Sequence, residues 1–175
     1  MALSLFRKST ATAPVFAVYS AIVAQSRQKV FYAEWGVPDT VTGRFDMISL
    51  HLALLFRRLR AETSAARDFS QAVFDLFFKD MDRSLREMGA GDLAVPKKIK
   101  KMGNLFYGLL ASLDGALADN DAEAVAVVLI RNIFDGQMTP HARALAGYLV
   151  AESELLANQA TGSIVAGTIA LDIAA

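Results

Sequence analysis

Four lysines crowd one short stretch of this 175-residue chain, Pro96-Lys97-Lys98-Ile99-Lys100-Lys101, and carry its clearest chemical signal. A proline ahead of an apolar-periodic run marks a helix start. These cations therefore fall in opening turns, where they oppose the partial positive charge of the helix end. Two arrangements relieve that conflict. Asp92 or the acids of the preceding helix compensate, or the lysines meet an anionic partner such as RNA phosphate, acidic lipid or an acidic protein surface. With no interleaved aromatics and no nucleic-acid motif, sequence-specific reading of nucleic acid is not expected. A second cationic group, Arg57, Arg58 and Arg60, sits at the end of a predicted helix, where cations complement the helix dipole.

The remaining reactive side chains point away from catalysis. Asp75, Asp80 and Asp82 invite a metal reading, yet at about 100° per residue Asp80 points away from the face shared by the other two. Pairing with Lys79, Arg83 and Arg86 on a solvated helix face is the simpler expectation. His51 lies in a predicted helix close to its apolar stripe, as a hydrogen-bonded core histidine would. Gly89-Ala90-Gly91-Asp92-Leu93-Ala94 matches G-x-G-x-x-A, but the dinucleotide fingerprint needs a preceding strand and here a helix precedes it. No serine sits on a G-x-S-x-G turn, and the absence of cysteine removes thiol chemistry and cysteine-ligated metals. No catalytic, cofactor-binding or metal site is expected, and the chain does not read as an enzyme.

Helices must position these groups. Pro14, Pro96 and Pro140 each stand where a helix would begin, and the spacing predicts helices over residues 14–27, 43–60, 66–88, from about 96, from about 121 to 134, and 140–158. Phe45, Ile48, Leu52, Leu55 and Leu59 make one stripe; Phe74, Phe78, Met81, Leu85 and Met88 make a second. Ile99, Met102, Phe106, Leu109, Leu113 and Leu117 make a third, while residues 162–175 read as a short last helix. Residues 35–40 are turn-rich. Phe31, Tyr32 and Trp35 beside them are candidate exposed aromatics for binding a partner, the alternative being that they pin the loop to the core. No segment alternates with period two, so the fold class is all-α, a single-domain bundle of six or seven helices over residues 14–175 preceded by a flexible segment over residues 1–13.

Composition agrees with a folded domain: 54% of residues are hydrophobic and 21% charged, and the length suits one core. No apolar run reaches the roughly 18 residues of a membrane span. Residues 1–33 carry Arg7, Lys8, Arg27 and Lys29 with no acid, as a transit peptide would, although the same stretch reads as a helix of the fold. The net charge of zero hides a division. Residues 1–101 hold 16 Lys+Arg against 10 Asp+Glu, a net of +6, and residues 102–175 hold 2 against 8, a net of −6.

Longer blocks carry a resemblance. Phe31-Tyr32, residues 35–40, Gly43-Arg44-Phe45-Asp46-Met47-Ile48, His51 and residues 55–60 are similar to the ubiquinol-cytochrome c chaperone family. So are Asp80-Met81-Asp82, Leu85-Arg86-Glu87-Met88-Gly89, Gly91-Asp92-Leu93, residues 95–102, Phe106-Tyr107-Gly108 and Arg131-Asn132-Ile133, with the similarity running over about residues 19–134. The resemblance implies an all-helical, non-enzymatic assembly chaperone for respiratory complex III. Its implied client is newly made cytochrome b, with the ribosome near its exit tunnel and a small partner protein as further partners. The lysine block and the Arg57 to Arg60 cluster, read by their charge, suit an anionic ribosomal or membrane surface. Lys97, Lys98, Lys100, Lys101, Arg57, Arg58, Arg60, Phe31, Tyr32 and Trp35 are the expected partner-binding residues. The alternative is a helical adaptor docking peripherally on anionic membrane or a respiratory or quinone-pathway protein. The chain departs from the mitochondrial members in lacking their long N-terminal extension with its membrane anchor, and it has Ala90 where a larger residue is expected. The short form implies a bacterial member, working in the cytoplasm or at the inner membrane rather than in the mitochondrial matrix.

Overall fold

A computed structural model describes residues 12–172; most of the 1–13 segment expected to be flexible, and the last three residues, lie outside the described residues. Six long helices and two of five residues each account for the regular structure, and no strand occurs among the described residues. They are α1 (Ala13–Ser26), α2 (Lys29–Ala33), α3 (Val41–Leu59), α4 (Ser64–Glu87), α5 (Val95–Ala116), α6 (Ala122–Asn132), α7 (Pro140–Ala157) and α8 (Thr161–Val165). Side-chain caps start four of them. Thr40, Thr63 and Thr139 accept from the backbone N–H three residues on, and Asp121 accepts from Glu123 and Ala124.

Helix α3 is the spine. Nine consecutive residues, 47–55, are buried, because this helix packs on both sides rather than along one stripe. Phe45, Ile48, Leu52, Leu55 and Leu59 join Val18 and Ile22 of α1, Val73 and Phe77 of α4 and Phe106 of α5 in one hydrophobic cluster. Met47, Leu50 and Leu54 enter a second cluster with Phe31 of α2, Leu113 of α5, Leu129 of α6 and Leu145 and Leu149 of α7. Each fully buried leucine contributes roughly 1.5–3 kcal/mol, so this helix anchors both halves. Its start is tight: Gly43 lies so close to the Pro38 carbonyl that a Cβ there would collide with it.

Two expectations are corrected here. The buried stripe of α4 is rotated from the expected one: Phe69, Ala72, Val73 and Phe77 face inward, and of the expected residues Leu85 is buried, Phe74, Phe78 and Met81 are half-buried, and Met88 is exposed. The reason is that α4 is packed by α1 as well as α5, and Phe77 stacks on Phe45 with centroids 5.4 Å apart. The stretch expected as loop contains α2, and it buries Phe31 completely. Edge-on contacts with Trp35, His51 and Tyr148 surround that ring, and Tyr32 donates to the Ser26 carbonyl at 2.7 Å. Phe31, Tyr32 and Trp35 therefore pin this segment to the core and are not exposed binding aromatics.

The chain after α8 lies back across the bundle. Gln159 takes both the N–H and the carbonyl of Ala170 at 2.8 Å, Glu152 accepts from Asp172 N–H at 3.0 Å, and Gln25 donates to the Asp172 carbonyl.

Candidate functional site: an apolar groove beneath the lysine block

Where α4 turns into α5, Gly89 adopts φ +84°, a conformation that favours glycine, and its N–H closes α4 on the Arg86 carbonyl at 2.9 Å. The reversal leaves an open groove of about 560 Å³ between three elements. Val41, Thr42 and Phe45 line it from α3, Leu85 from α4 with Met88 just past its end, and Lys98, Lys101, Met102 and Leu105 from α5. The small Gly89 and Ala90 complete the wall. Val41, Met88 and Leu105 are each about half exposed, which is unusual for side chains of their size in one place.

The lysine block divides around this groove. Lys98, Lys101 and Leu105, spaced 3 and 4 apart, share the groove wall, whereas Lys97 and Lys100 are not part of it. The first turn of α5 has no acid and no side-chain cap. Asp92, one of the candidates to compensate, pairs with Arg86 at 2.5 Å; of the acids of the preceding helix, Asp82 also pairs with Arg86, and Asp80 with Arg83. Among the described residues none of the four lysines forms an ion pair, so their charge stays available to a partner.

The arginine cluster is engaged within the fold, which corrects its expected place on a free cationic surface. Arg58 donates to the carbonyls of Leu156 (3.0 Å) and Gln159 (2.8 Å), to Thr161 Oγ1 (3.0 Å) and to Glu62 (2.6 Å). Arg57 ties α3 to the end of α5 through Asp114 and the Leu117 carbonyl, and the more exposed Arg60 takes the other Asp114 oxygen. Burial pushes the Asp114 carboxyl up, but hydrogen bonds from Arg60 and Arg57 outweigh it and hold the group below the ordinary carboxylate range.

The other polar cluster is interior. His51, 2% exposed, places Nδ1 2.8 Å from the Met47 carbonyl and Nε2 2.8 Å from the Tyr148 hydroxyl, which also accepts from Gln25 at 2.7 Å. Burial lowers its pKa to about 4, against a smaller opposing pull from the Met47 carbonyl, so the ring is a neutral core hydrogen-bonding group. Nearby Glu152 is fully buried with Oε1 unpartnered, and burial, with the charge of Asp172 adding to it against that residue's backbone N–H, raises its pKa to about 7. These groups are sealed from solvent and cannot reach a substrate. No cluster of three or more His, Asp or Glu suited to a metal occurs among the described residues. On α4, Asp80, Asp82 and Glu87 face arginines, Asp80 also accepts from the Tyr19 hydroxyl at 2.9 Å, and Asp75 accepts from Gln71 at 2.8 Å.

Sequence reasoning found the lysines but missed Val41, Leu93 and Leu105 as surface groups. The available signal was that Leu105 falls outside the 3 and 4 spacing of the buried α5 stripe, one position before Phe106.

Three comparisons bear on this arrangement. The sequence model of a family described as ubiquinol-cytochrome C chaperone matches residues 33–171, reaching past Phe134 into the part where no family block was legible. Ubiquinol-cytochrome-c reductase complex assembly factor 1 of Xenopus laevis is 21% identical over 120 residues, 69% of this chain; the chain spans about 60% of that relative's length. The crystal structure of the Cbp3 homolog from Brucella abortus superposes with a TM-score of 0.85 at 42% identity, covering 93% of this chain and 90% of that one.

Proposed function

Because this chain belongs to the ubiquinol-cytochrome C chaperone family, we propose that it acts in complex III assembly by holding newly made cytochrome b in the groove between α3, α4 and α5. The observation that carries this reading is an open apolar groove rimmed by unpaired lysines. A client destined for the membrane has apolar side chains to hide, and Met88, Met102 and Leu105 offer them a surface. Methionines adapt to varied shapes because their side chains are unbranched and polarizable. Lys98 and Lys101 select segments with an acid at the flank. An open groove lets the client leave once its own partners arrive, and holding it requires no bond to be made or broken. The non-catalytic role also suits relatives whose names are those of chaperones and assembly factors.

Deleting the gene and measuring haem b spectra and complex III activity, with an unrelated respiratory enzyme as control, tests the reading. Complex III should fall selectively and return with the wild-type gene. It should not return with Leu105→Glu, which sets a charge in the groove at a half-exposed position the fold tolerates. Untouched complex III in the deletion strain would remove cytochrome b as the client; full rescue by Leu105→Glu at normal abundance would remove the groove.

A further inference from the structure

The Gly91 carbonyl accepts from both Ala94 N–H (2.8 Å) and Val95 N–H (3.1 Å), so the chain already winds helically as it passes Leu93. Leu93, Lys97 and Lys100 then follow one another at spacings of 4 and 3, on a face beside the groove wall that carries Lys98, Lys101 and Leu105. Leu93 is 90% exposed, the barest large apolar side chain among the described residues. We propose that this tip of the α4–α5 hairpin docks on an anionic lipid bilayer, Leu93 entering below the phosphates and Lys97 and Lys100 meeting them.

Charge complementarity selects the partner. Among the described residues the lysines have no counter-ion, and the acids nearest the tip, Glu87 and Asp92, already face Arg83 and Arg86. An RNA or acidic protein surface would reward the lysines and leave Leu93 in water, whereas a charged bilayer accepts both groups at once. Docking here does not depend on cytochrome b being the client. Where that reading holds, it sets the mouth of the groove beside the membrane the client must enter.

The full chain is mixed with vesicles of pure phosphatidylcholine or with about three in ten lipids replaced by phosphatidylglycerol, and the bound fraction is measured by sedimentation at rising salt. Binding should require phosphatidylglycerol and fade with salt. Lys97→Gln with Lys100→Gln should weaken it about 30-fold, from the attraction of each lysine to an anionic surface. Leu93→Asp should weaken it about tenfold or more. Neither variant should lower the melting temperature or change cytochrome b capture, since none of the three residues lines the groove. Absence of binding by the full chain, or binding that neither variant alters, overturns the proposal. So does loss with the lysine pair while Leu93→Asp binds normally, the result an RNA or acidic protein partner would give.

Discussion

Two clusters of cations occupy opposite ends of two helices, and the fold treats them oppositely. Arg57, Arg58 and Arg60 close α3, where the dipole favours them, and each finds acceptors beyond α3, on or beside neighbouring elements. Lys97, Lys98, Lys100 and Lys101 open α5, where the dipole opposes them, and none is paired among the described residues. The side chains suit these fates: a guanidinium forks to several carbonyls at once, while an ammonium on a flexible stem waits in solvent. A charge that stabilises its own fold needs no further explanation, and a charge that burdens it points outward.

The contrast is sharpest at Arg58. Arg58→Ala leaves two carbonyls and a hydroxyl around α7 and α8 short of a donor, and should cost about 3 kcal/mol in urea unfolding, lowering the melting temperature by roughly 6–12 °C. An unchanged melting curve would erase the distinction between the clusters. Next comes a fully buried carboxyl, Glu152, with only one of its two oxygens hydrogen-bonded. An unfolded glutamate ionises near 4.5 and folded Glu152 near 7, so between those values the folded state keeps a proton the unfolded chain has lost. Stability should therefore fall as pH rises through that window, by roughly 3 kcal/mol, and Glu152→Gln should remove that part of the slope and be the more stable protein above pH 7. Parallel pH profiles for the two proteins would show that Glu152 is not a buried acid in solution. The smallest effect has the opposite sign from the first. Replacing all four lysines with glutamine should raise stability by about 1 kcal/mol, a few tenths per charge, while weakening capture of cytochrome b segments. A loss of stability instead would mean that the lysines serve the fold as the arginines do.

Helix boundaries were largely legible because prolines, caps and glycines are local devices. Pro14, Pro96, Pro140, Asp121 and Thr139 act within one turn, and the helices begin beside them. The inner face of α4 was not legible. Phe69, Val73 and Phe77 form one apolar row and Phe74, Phe78 and Met81 an adjacent one, and only packing by both α1 and α5 decides which turns inward. Helix α2 is too short for any periodicity to show, and burial of Phe31 rests on contacts with His51 and Tyr148, far along the chain. At the candidate site the lysines stood out as a run of like charge. Their division into a groove pair and an outer pair, and the groove itself, required three elements to meet.

The double burial of α3 has a consequence for how far this molecule can be cut down. Both hydrophobic clusters are built on opposite sides of the same helix, so neither half carries a complete core of its own. Trimming away α6 and α7 would strip Leu50 and Leu54, and trimming away α1 would bare Leu52 and Leu55. The groove borrows its floor from that same helix through Phe45, so it has no smaller independent carrier and is inherited or lost with the whole domain.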